Sequence, residues 1–170
     1  DYDLDGHLDL YILSNAMESF QRNTSRPREK TGKGKSNDKL YRNNGDGTFS
    51  NVTKESGILI EGYGLGLAIS DINKDGYPDI YVANDFESDD LIFINNKNGT
   101  FTNHAAEIFK HISLTAMGSD VGDVNNDGLL DFMIANNNGP DAVMQRMGDK
   151  WNWNNAKFGF DCFSQRLNQF

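Results

Sequence analysis

Three stretches of the chain carry Asp or Asn at their first, third, fifth and ninth positions around a glycine: DYDLDGHLD at 1–9, DINKDGYPD at 71–79 and DVNNDGLLD at 123–131. Alternate residues of a tight loop turn their side-chain oxygens inward, and the glycine permits the sharp bend, so each stretch offers a shell of hard oxygen ligands. The first loop presents Asp1, Asp3, Asp5 and Asp9, the second Asp71, Asn73, Asp75 and Asp79, and the third Asp123, Asn125, Asp127 and Asp131. By analogy with other Asp-rich loops, the seventh position (His7, Tyr77 or Leu129) adds a backbone carbonyl, and the last Asp closes the shell with both oxygens. Such a set favours Ca²⁺ over Mg²⁺. Three Ca²⁺ sites are therefore expected, and without metal the clustered carboxylates repel one another. An EF-hand does not fit, because its twelfth loop position is Glu and these loops have Ile12, Val82 and Ile134 there. Metal-free turns rich in Asn and Asp are the plainer alternative, but the repeated set of polar positions exceeds what a turn requires.

The elements that must hold these loops follow from the residues around them. Each loop leads into an apolar run (LYIL, IYVAN or FMIAN) whose β-branched and aromatic content predicts a buried strand, and GLAIS at 66–70 predicts a strand before the second loop. MGSDVG at 117–122 does the same, less clearly, before the third. LYRNNGDGTF at 40–49 and IFINNKNGTF at 92–101 repeat a second pattern, in which Asn44-Gly45 and Asn98-Gly99 mark tight turns between short strands. Each unit is thus a four-stranded meander, best seen as strands at about 64–70, 79–84, 91–95 and 100–104. The fold class is all-β, and repeated sheets that bury both faces against neighbours suggest a β-propeller. The chain is expected to be a propeller segment of about three four-stranded blades over 1–170, with the calcium loops in the hairpins between first and second strands. The first blade covers about 1–54 with an insertion at 14–38, the second about 63–105, and the third about 115–170, irregular from 137.

With these residues on the page, GLGLAISDINKDGYPDIYVANDF and LIFINNKNGTF resemble the VCBS/FG-GAP type of repeat found in integrin α-subunit propellers. The similarity is closest to bacterial surface proteins with an ASPIC/UnbV region, and about 130 of the 170 residues fit it. The resemblance implies a propeller of roughly seven blades, Ca²⁺ in the loops between first and second strands, and an extracellular, periplasmic or cell-surface setting.

Composition narrows the partners. Sixteen Lys and Arg against 25 Asp and Glu leave a formal charge of −9, which argues against nucleic acid or an anionic membrane as partner. No apolar run approaches a membrane span, and the opening DYDLDG is neither an initiator Met nor a signal peptide, so the chain reads as part of a longer protein whose remaining blades are its first partners. Cys162, the single cysteine, has no intrachain disulfide partner.

In an up-and-down blade the acidic loops and Asn-Gly hairpins share one rim, so irregular segments collect on the other, where recognition usually sits. Segment 22–39 holds seven basic against two acidic residues, among them Arg26 and Arg28, and could meet an anion or acidic glycan or stay solvated. GKGKS within it is not a phosphate loop, since Glu29 stands where glycine is needed. Trp151 and Trp153 beside Asn152, Asn154 and Asn155 suit a sugar platform or a small satellite core. Asp85, with Glu87, Asp89 and Asp90, and the histidines His104 and His111, are weak candidates for general acid/base work. The function expected is a calcium-stabilised scaffold for binding, adhesion or assembly, with a glycan or surface protein as partner. The alternative is a polysaccharide-active lyase or hydrolase with its site on the rim opposite the loops.

Overall fold

The computed structural model describes residues 1–15, 29–85, 88–109, 116–136, 142–147, 150–155 and 163–166. These residues are nearly all β. A first sheet joins β1 (Leu10–Ile12), β2 (Lys39–Asn43) and β3 (Phe49–Asn51), and a second joins β4 (Gly64–Ser70), β5 (Asp79–Asn84), β6 (Leu91–Asn95) and β7 (Phe101–Asn103). One turn of helix, α1 (Ala105–Ile108), follows. The third sheet runs β8 (Ala116–Gly122), β9 (Asp131–Asn136), β10 (Ala142–Met147), β11 (Lys150–Asn155) and β12 (Phe163–Arg166). In all three, strands adjacent in sequence pair antiparallel, so each sheet is a meander.

The third sheet departs from expectation. Where the chain from 137 was to be irregular, β10 pairs with β9 and carries β11 and β12 beyond it, giving five strands instead of four. Asn138-Gly139 falls between β9 and β10 and Gly148-Asp149 between β10 and β11, but neither is followed by the Thr-Phe that closes the hairpins of the other two sheets. A ladder, however, needs extended neighbours rather than a particular turn, and Val143, Trp151, Trp153 and Phe163 are all residue types that favour strands.

Alternation along the middle sheet explains why it is buried on both sides. In β5, Ile80 and Val82 point towards the first sheet and Tyr81 and Ala83 towards the third; in β6, Leu91 and Phe93 oppose Ile92 and Ile94 in the same way. One core gathers Tyr2, Leu40 and Ile58 with Ile80, Val82 and Phe93 between the first two sheets. The other gathers Phe109, Phe132 and Ile134 with Tyr81 and Ile92, and the rings of Tyr81 and Phe132 meet edge to face with centroids 5.1 Å apart.

The first strands of the second and third sheets pack side by side. Each has a bulge at the end remote from the acidic loops, between Gly64 and Gly66 in β4 and between Ala116 and Gly118 in β8. Gly66 meets Gly118 and Ser119 backbone to backbone, and a Cβ there would lie 2.6 Å from the Ser119 nitrogen. The first and second sheets are tied by main-chain contact, the Phe101 N–H donating to the Ser56 carbonyl at 2.8 Å.

Candidate metal centre

Each acidic loop is the turn between two strands or leads directly into one, and all three share one backbone path. The fourth residue, Leu4, Lys74 or Asn126, has φ near +60°, and Gly6, Gly76 and Gly128 lie at +92°, +89° and +79°. Only glycine adopts the latter freely, which is why the sixth position is glycine. Side-chain oxygens then fold over the loop's own amides. The first Asp accepts the N–H of the glycine (Gly6 to Asp1 Oδ2 at 3.0 Å, Gly76 to Asp71 Oδ2 at 2.8 Å, Gly128 to Asp123 Oδ2 at 2.7 Å). The fifth accepts the N–H two residues on, from His7, Tyr77 or Leu129, at 2.8 to 2.9 Å.

The ninth position does a different job. Asp79 is fully buried, one oxygen taking the Ile72 and Asn73 amides and the other the Asn95 amide at 2.8 Å, so it clamps the loop to the end of β6. Asp9 repeats this with Tyr2 and Asn43, and Asp131 accepts from Val124. Burial pushes the Asp79 carboxyl above its ordinary range, against the pull of the three amides.

The loops differ in charge. In the first, Asp1, Asp3 and Asp9 bring one carboxylate oxygen each within 4.8 Å of one another, and Asp1 Oδ1 is buried with no hydrogen-bond partner among the described residues. In the second, Asn73 donates to Asp75 at 2.8 Å, and the Lys97 ammonium stands 3.4 Å from the same carboxylate. Burial raises the Asp75 carboxyl, but the Tyr77 N–H, Asn73 and Lys97 together hold it below the usual range. In the third, Asn125 donates to Asp127 at 3.1 Å. Lys74 links loops two and three by donating to the Gly128 carbonyl.

The hairpins beside the loops also repeat. Gly45 and Gly47 in one, Lys97 and Gly99 in the other, hold positive φ, so Lys97 occupies a conformation that no turn signal announced. Thr48 and Thr100 bond back to Asp46 and Asn98 through both N–H and hydroxyl.

On the opposite rim the structure shows a device that the spacing of the acidic motifs does not reveal. The Tyr81 hydroxyl donates to Asp90 Oδ2 at 2.7 Å and the Asn84 N–H to Asp90 Oδ1 at 2.9 Å; Tyr11, Ser14 and Asp38 repeat this in the first sheet, both bonds at 2.7 Å. A tyrosine two residues after the ninth loop position and an Asp just before the third strand are the signal that would have found it. Asp90 is therefore part of the packing. Asp85 is half-buried, its N–H bonded to Tyr63 O, and His104 pairs with Glu107. Trp151 and Trp153 lie in β11, opposite Gln165 and Phe163 of β12. Arg26, Arg28, Glu87 and His111 fall outside the described residues.

The FG-GAP-like repeat profile matches residues 1–82 and again residues 71–134. No curated protein matches the chain. Repeats of this kind are typical of extracellular, adhesion-type β-propeller domains, and no helix among the described residues is long and apolar enough to cross a membrane. With most of its length matched and its loop geometry repeated three times, the chain belongs to the FG-GAP-like repeat family.

Proposed function

We propose that the chain is part of a calcium-stabilised β-propeller of the VCBS kind, its three sheets successive blades, which serves outside the cytoplasm or at a cell surface as a scaffold for binding, adhesion or assembly. The observation that carries the metal is Asp1 Oδ1, a buried carboxylate oxygen without a donor, set beside the oxygens of Asp3 and Asp9. A buried acceptor in a negative cluster asks for a cation, and oxygens alone select a hard one. Asp1, Asp3, Asp5 and Asp9 with the His7 carbonyl would hold the first Ca²⁺. Asp71, Asn73, Asp75 and Asp79 with the Tyr77 carbonyl would hold the second, and Asp123, Asn125, Asp127 and Asp131 with the Leu129 carbonyl the third. The first loop, with four carboxylates and no lysine of its own, is the strongest of the three. The ion's part is structural: it neutralises the loop so that the ninth Asp can clamp the next strand.

The propeller reading rests on the sheet faces. β5 is buried on both sides, whereas Leu10, Ile12 and Phe49 of the first sheet and Met117 and Met133 of the third stand 41 to 49% exposed. Flanking blades of the same protein would cover these. No observation favours the enzymatic alternative.

Extracellular calcium modules bind with dissociation constants of roughly 10⁻⁴ to 10⁻³ M. At millimolar Ca²⁺, roughly one to ten times such a constant, each site adds about 0.4–1.4 kcal/mol of stability. Thermal unfolding of the intact protein in millimolar Ca²⁺ and in chelator is expected to differ accordingly, and Asp1→Asn with Asp3→Asn to remove the largest share of that difference. Identical curves with and without Ca²⁺ overturn the metal reading. Retention on immobilised glycans or surface proteins then tests the recognition role.

A further inference from the structure

The hairpins at 43–49 and 95–101 differ in sequence at two positions: Asn98 stands in the place of Asp46, and Lys97 in the place of Gly45. The first exchange changes little, since Asp46 and Asn98 hold their threonines alike. The second brings a charge. Gly45 and Lys97 both have positive φ, +75° and +63°, and each donates its N–H to the Asn two residues before it, at 3.0 and 2.9 Å. Both hairpins therefore keep the same backbone, which glycine adopts freely. A lysine held there carries a conformational cost, and that points to a task for its side chain.

That side chain reaches into the second acidic loop. The Lys97 ammonium stands 3.4 Å from Asp75 Oδ2 and 5.9 Å from the centre of the Tyr77 ring. Asp75 Oδ2 is also the oxygen that accepts the Asn73 amide, so the ammonium meets the loop where its third and fifth residues come together. In the first sheet the hairpin lies against its loop in the same way: a Cβ on Gly45 would come within 2.6 Å of His7 Nε2, and His7 is the seventh residue of its loop as Tyr77 is of the second. There the glycine supplies no charge. Lys74, by contrast, meets the third loop at the Gly128 carbonyl and not at a carboxylate.

We propose, resting on the calcium reading of the acidic loops, that Lys97 is a tethered counter-ion of the second loop: its ammonium neutralises part of the loop's charge while no metal is bound and withdraws from Asp75 when Ca²⁺ binds. The Lys97 side chain is 50% exposed, so its flexible stem swings into water without disturbing the hairpin backbone. The loop stays formed in either state, and Asp79 keeps its hold on the Asn95 amide. Competition from the ammonium makes the second loop fill after the first as Ca²⁺ rises. Water screens a half-exposed pair, so the competition is modest.

The test is calorimetric titration of the intact, metal-stripped protein with Ca²⁺ alone, the step that Asp71→Asn weakens being assigned to the second loop. Lys97→Met keeps most of the stem and removes the charge. It is expected to tighten that step about fivefold, the upper worth of an exposed ion pair, and to leave the other steps unchanged. Lys97→Arg keeps the charge and is expected to stay within about twofold of the wild type. Unchanged second-loop affinity in Lys97→Met overturns the proposal and leaves the calcium reading standing. Equal tightening in Lys97→Met and Lys97→Arg also overturns it, because the effect would then come from packing and not from charge. Should Lys97→Met not fold, Lys97→Gly, which copies Gly45 and suits the positive φ, carries the same expectation. Absence of Ca²⁺ uptake at the loops in the wild type and every variant refutes the calcium reading, and the role of Lys97 falls with it.

Discussion

Asp46 and Asn98 show how little charge the hairpin rim needs. They occupy the same place in two copies of one turn, and each accepts an N–H and a hydroxyl from the threonine two residues on. The Thr48 hydroxyl, then its N–H, holds the Asp46 carboxyl below the usual range. A depressed folded-state value means that the folded chain releases the proton more readily than the unfolded one. The stability so gained is present above the unfolded carboxylate pKa and is lost as pH falls through the folded value. Asp46 is exposed, so the effect is small. Asp46→Asn is expected to keep neutral-pH stability, because Asn98 does the same work uncharged, and to flatten the acid limb of the stability profile. Denaturant midpoints of the two proteins across about pH 2 to 6 check this, and parallel profiles would contradict it. The tyrosine locks at Asp38 and Asp90 follow the opposite logic. Burial above all, with the neighbouring carboxylate, raises the Tyr11 and Tyr81 hydroxyls well beyond their ordinary value, so both remain donors.

At the scale of elements, the acidic loop, the second strand and the following hairpin act as one unit because the ninth Asp joins them. Asp79 reaches from its loop to Asn95, and Asn95 in turn donates to Tyr2 O at 2.8 Å, which carries the connection into the first sheet. A further inter-sheet joint is the glycine contact between β4 and β8. Gly66→Ala would place a methyl 2.6 Å from the Ser119 nitrogen, and backbone cannot yield as a side-chain tip does. The substitution is expected to cost about 1–3 kcal/mol through overpacking, even though alanine is the better residue for an isolated strand. Gly118→Ala, whose Cβ would meet nothing within 4 Å, is the matched control and is expected to change stability little. Equal midpoints for the two variants would mean that the strands are not in close contact.

For the molecule as a whole, the outer faces of the first and third sheets carry apolar side chains that the described residues leave exposed. Tyr11 and Leu40 of the first sheet point into the core shared with the second, while Leu10 and Ile12 point away from it and are 47% and 41% exposed. If a further blade stacks there in the intact protein, Ile12→Glu buries a charge against it and is expected to cost more than 2 kcal/mol, roughly the transfer energy of an isoleucine side chain or above. On a face that stays in water the same change lies within about 0.5 kcal/mol. Thermal unfolding of the intact protein separates the two outcomes.

Much of this was legible in the sequence, for a physical reason: strands of a meander are read from local alternation, and their turns from Gly, Asn and Asp. The four strands of the middle sheet lie within a residue or so of where IYVAN, LIFIN and their neighbours predict them. The three acidic loops share one path because position six must be glycine. What depends on distant partners was not legible. β10 to β12 lack the Gly-Thr-Phe pattern that closes the other hairpins and form by pairing outward from β9. Lys97 takes a glycine-like φ beside the carboxylate it pairs with. Asp90, which reads in sequence as one more solvated acid, is buried because Tyr81 from the neighbouring strand needs an acceptor. Only tertiary structure set Gly34 against Asn37 and Glu61, residues whose spacing along the chain says nothing, because convergence across segments is decided by how sheets pack and not by the periodicity within any one of them.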